Sequence, residues 1–210
     1  MMIRLYENPG WGSAIVELQL AFYGMPHELV PAGGVTDPVA VQKAMAGVNP
    51  VGQVPALILP SGEVMTETAA ITLYLADLTG SDALVPGAAA AERAGFLRWL
   101  IFLVAAVYPS FAYGDVPERF VPGTRAAKFG HKVIAHRKSM WRVMEAEAVQ
   151  RGGPYFLGSR MTAIDFYLVC MLRWTPGVAW FQTETPILWR AAEQAAALPV
   201  LAAVLKRNFG

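Results

Sequence analysis

A chain of 210 residues is long enough to bury a full core, either as one large domain or as two small ones. A formal net charge of +1 with 16% charged residues sets aside nucleic acid and acidic membrane surfaces as principal partners. The single cysteine, Cys170, excludes an internal disulfide and points to a reducing, cytoplasmic compartment.

Met1 to Glu7 lacks the apolar core of a signal peptide, and Ile3-Arg4-Leu5-Tyr6 alternates as a short strand does. Asn8-Pro9-Gly10-Trp11-Gly12 reads as a turn-rich loop. Ser13 then precedes Ile15, Leu18 and Phe22 at helical spacing, which marks it as an N-cap. Gly24-Met25-Pro26 closes that helix. His27 to Pro31 forms a second strand, and a short helix is predicted around Pro38 to Ala46.

The densest pattern follows: Asn49-Pro50-Val51-Gly52-Gln53-Val54-Pro55-Ala56-Leu57, then Thr66-Glu67-Thr68-Ala69-Ala70-Ile71. Pro55 lacks a ladder donor, so it belongs at a strand head or an edge. A cis Val54–Pro55 bond, intrinsically only ~0.5–1 kcal/mol above trans, would turn the N–H and C=O of Val54 outward. An extended peptide could then pair with Val54 as an added strand. Pro60-Ser61-Gly62 turns the hairpin. A helix from about Glu67 to Thr79 begins beside it, its free amides suited to a carboxylate.

Beyond a linker at 81–87, strand patterning stops. A long helix is predicted from Ala88 to about Phe111, and another from a Thr124 cap to about Gln150. Thr162 and Asp165 have capping-box spacing before the apolar run Phe166 to Leu172. Helices at about Ile187 to Ala197 and Pro199 to Lys206 complete the chain. The most apolar run, Trp99 to Val107, is shorter than the roughly 20 residues of a membrane span. The basic run holding Lys128, His131, Lys132, His136, Arg137, Lys138 and Arg142 reads as a solvated helix face.

The Val54–Pro55 segment, followed by an acidic-hydroxyl pair before Ala69-Ala70-Ile71, resembles the glutathione-binding half of the cytosolic glutathione S-transferases. The Thr162–Asp165 box resembles one in their helical domain. The resemblance implies a thioredoxin-like α/β domain over residues 1–80, a linker at 81–87 and an all-α domain over 88–210. It also implies a homodimer, which fits the 55% hydrophobic composition. Glutathione is the implied co-substrate, with no metal. Val54 with Pro55 would pair with its cysteinyl backbone, Glu67 and Thr68 would hold its γ-glutamyl end, and Gln53 could offer an amide. Two of these also have a plain structural reading: Glu67 as charge at a helix tip, Gln53 as a turn residue.

The loop resembles the bacterial branch that carries Pro-Gly-x-Cys-Ser, but Gly12 stands at the cysteine position. This disfavours thiol–disulfide chemistry and leaves a hydroxyl. Only the thiolate attacks, and lowering a thiol pKa by two units takes about 2.7 kcal/mol. Ser13, either cap or donor, is the expected catalytic residue. Glu7 aligns where tyrosine-type members hold a phenol, with Tyr6 one residue off; Tyr6 and Asn8 are alternative donors. Tyr108, Phe111 and Tyr113, at the end of the first long helix, are expected to line a pocket for an apolar electrophile. The resemblance leaves open another glutathione-dependent reaction, isomerisation or dehalogenation, or a noncatalytic interaction module.

Overall fold

A computed structural model of the chain describes residues 2–33 and 38–210. The loop at 34–37, between the second strand and the short helix, lies outside the described residues. The chain packs as two units, one of Met1–Val85 with Ala196–Gly210 and the other of Pro86–Ala195.

The first unit is built on four strands: β1 (Ile3–Glu7), β2 (His27–Pro31), β3 (Ala56–Ile58) and β4 (Val64–Met65). Their order is β2-β1-β3-β4, with β1 and β2 parallel and the other pairs antiparallel. Helices α1 (Ser13–Phe22), α2 (Pro38–Met45) and α3 (Thr68–Thr79) accompany the sheet. Strand alternation divides the side chains between two cores, as a period of two requires. Ile3 and Leu5 of β1 join Leu57, Val16, Leu20, Ile71 and Leu75, sealing α1 and α3 onto one face. Tyr6 and Ala56 join Val41, Met45 and Val54 on the other, beside α2. This is the expected thioredoxin-like arrangement.

The unit is completed by the chain terminus. A short 3-10 turn (Pro199–Leu201) leads into the last helix, Ala202–Phe209. The sequence reading grouped this segment with the helical domain because it is helical. It packs with the first unit through buried Leu201 and Val204 and through the polar side chains of Arg207 and Asn208, described below.

The second unit is helical: α4 (Arg93–Phe102), α5 (Pro109–Asp115), α6 (Arg125–Arg151), α7 (Ala163–Met171), α8 (Val178–Glu184) and α9 (Pro186–Ala196), so that the terminal helix is α10. The first long helix begins at Arg93 rather than Ala88, since the alanine run before it forms turns, Ala90 N–H bonding Gly87 O and Arg93 N–H bonding Ala90 O. A π-helical segment, Leu103–Val107, joins α4 to α5. Among the described residues this continuous helix, Arg93–Asp115, is the one long and apolar enough by itself to cross a membrane, a test that core helices also pass. Its Phe96, Trp99, Leu100, Leu103 and Val107 are buried.

One part of α6 departs from expectation. Arg137, read as part of a solvated basic face, is fully buried. It lies on the inner stripe with Met140, Trp141 and Met144, donating to Ser110 Oγ at 3.0 Å, Thr175 O at 3.0 Å and Asp115 Oδ1 at 3.1 Å. Its guanidinium is thereby satisfied from three directions, which is what a buried charge requires. His131 and His136 remain exposed, as expected of that face.

The capping box at α7 forms. Asp165 is fully buried and accepts from Thr162 N at 2.8 Å and Phe156 N at 2.9 Å. Burial nevertheless pushes its carboxyl up to about 7, against the lowering effect of those amides. With the folded pKa above the unfolded one, the stability this group contributes is full in acid and is lost as pH rises through about 7. In urea unfolding between about pH 5 and pH 8, wild type is expected to lose stability relative to Asp165→Asn as pH rises. Parallel stability profiles would refute this ionisation.

Candidate functional site

The sheet register gathers the predicted residues at one end of the first unit. Tyr6 stands opposite Ala56, and Leu57 opposite Met65. The ends of these ladders bring Asn8, which follows β1, Val54–Pro55, which precedes β3, and Glu67, which follows β4, to the same end of the sheet. The loop after β1, the start of β3 and the tip of α3 therefore converge.

The Val54–Pro55 peptide bond is cis. Among the described residues, no backbone hydrogen bond engages the Val54 main chain, and it stands outside the ladder. Asn49 shapes the approach to it. Its Nδ2 donates to Gln53 O at 2.8 Å, its Oδ1 accepts from Val51 N at 3.0 Å, and its own carbonyl accepts from Gly52 N at 2.7 Å. Gly52 has φ +69°, and a Cβ there would lie 2.9 Å from the Cα of Gln42 in α2, so both conformation and space call for glycine. Gln53 is exposed at the end of this turn. The motif's asparagine is thus a loop brace, a role the sequence reading did not assign.

Glu67 is the N-cap residue of α3 and, among the described residues, the one non-glycine with positive φ, at 64°. This conformation is costly for an L side chain, about 1–3 kcal/mol, and persists where surroundings over-determine it. Its carboxylate is exposed, and no side chain caps the first amides of α3. Thr68, buried, opens the helix. That tip is tied to α1: Gln19 Nε2 donates to Thr72 Oγ1 at 3.0 Å, and Thr72 Oγ1 donates to Thr68 O at 2.8 Å.

Ser13 behaves differently from the expected cap. Gly12 is the N-cap residue and Ser13 the first residue of α1. The Ser13 side chain turns back onto the loop instead, accepting from Asn8 N at 3.1 Å and donating to Asn8 O at 3.1 Å, and the residue is buried. The Asn8 carbonyl also accepts from Trp11 N at 3.1 Å. Buried Asn8 Nδ2 finds no partner among the described residues. Tyr6 lies on the α2 side of the sheet with Trp11 and Val54, while Glu7, one residue on, belongs to the opposite alternation.

Glu7 is buried and has an ionic partner that sequence reasoning missed. Arg207 Nη1 donates to Glu7 Oε2 at 3.1 Å, and the same guanidinium pairs with Glu17 of α1 through Nε, at 3.0 Å, and Nη2. Asn208 adds two bonds, donating to Glu17 Oε2 at 3.0 Å and accepting from Gly10 N at 3.0 Å. The one signal in the sequence was Glu17, a charge inside the apolar pattern of α1.

In the helical unit the three predicted pocket aromatics stand in different settings. Phe111 is buried between the Arg137 guanidinium, 3.9 Å from its ring centre, and Trp174, at 5.0 Å. Tyr108 stands edge-on to Trp174 at 5.6 Å. Tyr113 is 42% exposed and pairs with exposed Phe120 at 4.7 Å. Cys170 is a buried core residue that forms no disulfide. Among the described residues, no group of three or more His, Cys, Asp or Glu is placed to hold a metal ion.

Comparison with known proteins agrees with this architecture. The family model described as "Glutathione S-transferase, N-terminal domain" matches residues 13–78. An uncharacterized GST-like protein, YncG, of Escherichia coli K12 is 39% identical over 207 residues, covering 99% of this chain and 98% of its own. Glutathione S-transferase GstA of Escherichia coli O157:H7 is 29% identical over 84% of each chain. The solved structure of a sphingomonad glutathione S-transferase complexed with glutathione superposes with a TM-score of 0.78 at 30% identity, covering 97% of both chains. The chain belongs to the glutathione S-transferase superfamily.

The loop geometry carries a test of Ser13. Ser13→Ala strips the buried Asn8 N–H of its acceptor and is expected to lower the unfolding free energy by about 1–3 kcal/mol. An unchanged urea midpoint would show that the hydroxyl does not brace this loop.

Proposed function

We propose that this chain is a glutathione transferase that binds glutathione in its first unit and conjugates the thiolate to an apolar electrophile. The observation that carries the reading is the unpaired main chain of Val54 beside the uncapped tip of α3. An extended tripeptide adds to Val54 as a short strand, N–H to C=O and C=O to N–H. Its γ-glutamyl carboxylate meets the free amides at Thr68, its amino group meets the Glu67 carboxylate, and Gln53 contributes an amide. The superfamily and the glutathione held by the sphingomonad relative support this assignment.

The sulfur then falls to the Asn8–Ser13 loop. Ser13 can redirect its proton from the Asn8 carbonyl to the sulfur without orphaning that carbonyl, which keeps the Trp11 N–H. Its oxygen meanwhile continues to accept from Asn8 N. Asn8 Nδ2 is the other unspent donor on the loop. The thiol proton passes to solvent, and the thiolate forms a C–S bond with the electrophilic carbon. The leaving group departs with its electron pair, or an activated double bond takes up the proton. Held reactants supply part of the rate through proximity. Tyr108 and the Tyr113–Phe120 pair are the aromatic surface proposed for the electrophile. Glutathione is the co-substrate, the compartment is the cytoplasm, and a homodimer is the working assembly. Isomerisation or dehalogenation would use the same thiolate.

A noncatalytic role is the second reading, favoured by Gly12 at the cysteine position and by Trp11, whose ring packs with Val54. Calorimetric titration separates the two. Glutathione is expected to bind wild type, with Glu67→Ala weakening it about tenfold or more, the loss of one charge-assisted hydrogen bond. Absence of binding at millimolar glutathione would favour the interaction module.

A further inference from the structure

The last helix reaches the loop that carries the proposed thiol site. Glu7 is the residue immediately before Asn8, and Glu17 lies on the first turns of α1. Both are buried, and both are held by one guanidinium, that of Arg207. Asn208 binds Glu17 through its amide nitrogen and the loop's Gly10 N–H through its oxygen. Independently of these bonds, the α10 backbone presses on the loop: a Cβ at Gly10, where φ is +77°, would stand 3.2 Å from the Asn208 carbonyl oxygen.

We infer that Arg207 and Asn208 are positioning residues of the thiol loop, fixing its placement from outside, with Arg207 offsetting part of the charge of the Glu7 and Glu17 carboxylates. The inference rests on the glutathione-transferase reading. Two buried carboxylates against one guanidinium leave this cluster with one formal negative charge; without Arg207 it carries two. A thiolate forming on the adjoining loop then meets stronger repulsion, which favours the protonated thiol. Among the described residues, Glu17 and Glu7 are the charged groups that act on Arg207, and Lys206 is its charged neighbour on α10.

The test follows the ultraviolet band of the thiolate of enzyme-bound glutathione with pH. Arg207→Met is expected to raise the apparent pKa of the bound thiol by about one unit. Arg207→Lys is expected to recover part of that shift, and Glu7→Gln in the Arg207→Met background to reverse most of it. Should Arg207→Met fail to fold, Asn208→Asp carries the test. It keeps an acceptor for Gly10 N–H while adding a third carboxylate, and should raise the thiol pKa in the same direction. Variants that bind glutathione and share the wild-type pKa would overturn this inference and leave the proposed function standing. Wild type that binds no glutathione would overturn both.

Discussion

The shape of the chain between Asn49 and Pro55 is the constraint on which the proposed binding surface depends. A main-chain donor and acceptor can serve a ligand only if the protein's own ladder leaves them unpaired. Here β3 begins at Ala56, after the cis proline, so the ladder with β1 stops two residues short of the proposed pairing residue, Val54. The Asn49 carboxamide closes the preceding turn onto Val51 and Gln53, and Gly52 admits α2 at close range. These contacts keep the free main chain in place before any ligand arrives, which reduces the ordering cost of binding.

The tip of α3 is built with the same economy. The positive φ of Glu67 delivers the chain into the helix with its first amides open and its carboxylate in solvent. Gln19 and Thr72 bind α3 back to α1, so the helix that starts at the thiol loop and the helix that starts at Glu67 share one hydrogen-bonded seam. The proposed recognition of one end of a tripeptide and the proposed chemistry near its middle would thereby be mounted on the same core of Leu5, Val16, Leu57 and Ile71.

Charge burial organises both units. Arg207 lies 190 residues from Glu17 in sequence, yet it closes the loop side of the first unit; Arg137 joins α5, α6 and the Thr175 carbonyl in the second. Each guanidinium spends several donors on fixed acceptors, the condition under which a desolvated charge is tolerated. The buried Asp165 carboxyl likewise has both oxygens engaged by backbone amides at the start of α7. The positions that look least apolar in the sequence are thus among those that define the packing.

Much of the architecture was legible from residue order. Period-two and period-3.6 patterns, the proline and glycine breaks and the Thr162–Asp165 spacing located strands, helices and the capping box, because those signals act between residues close in sequence. The Val54–Pro55 and Glu67–Thr68 motifs were readable for the same reason. What folding alone decided were the partners of polar side chains. Ser13 turned from helix cap to loop brace, Arg137 from solvated face to core, and the last helix packs with the first unit rather than the second. Each outcome depends on a contact between distant segments, and such contacts leave no periodic trace in the chain.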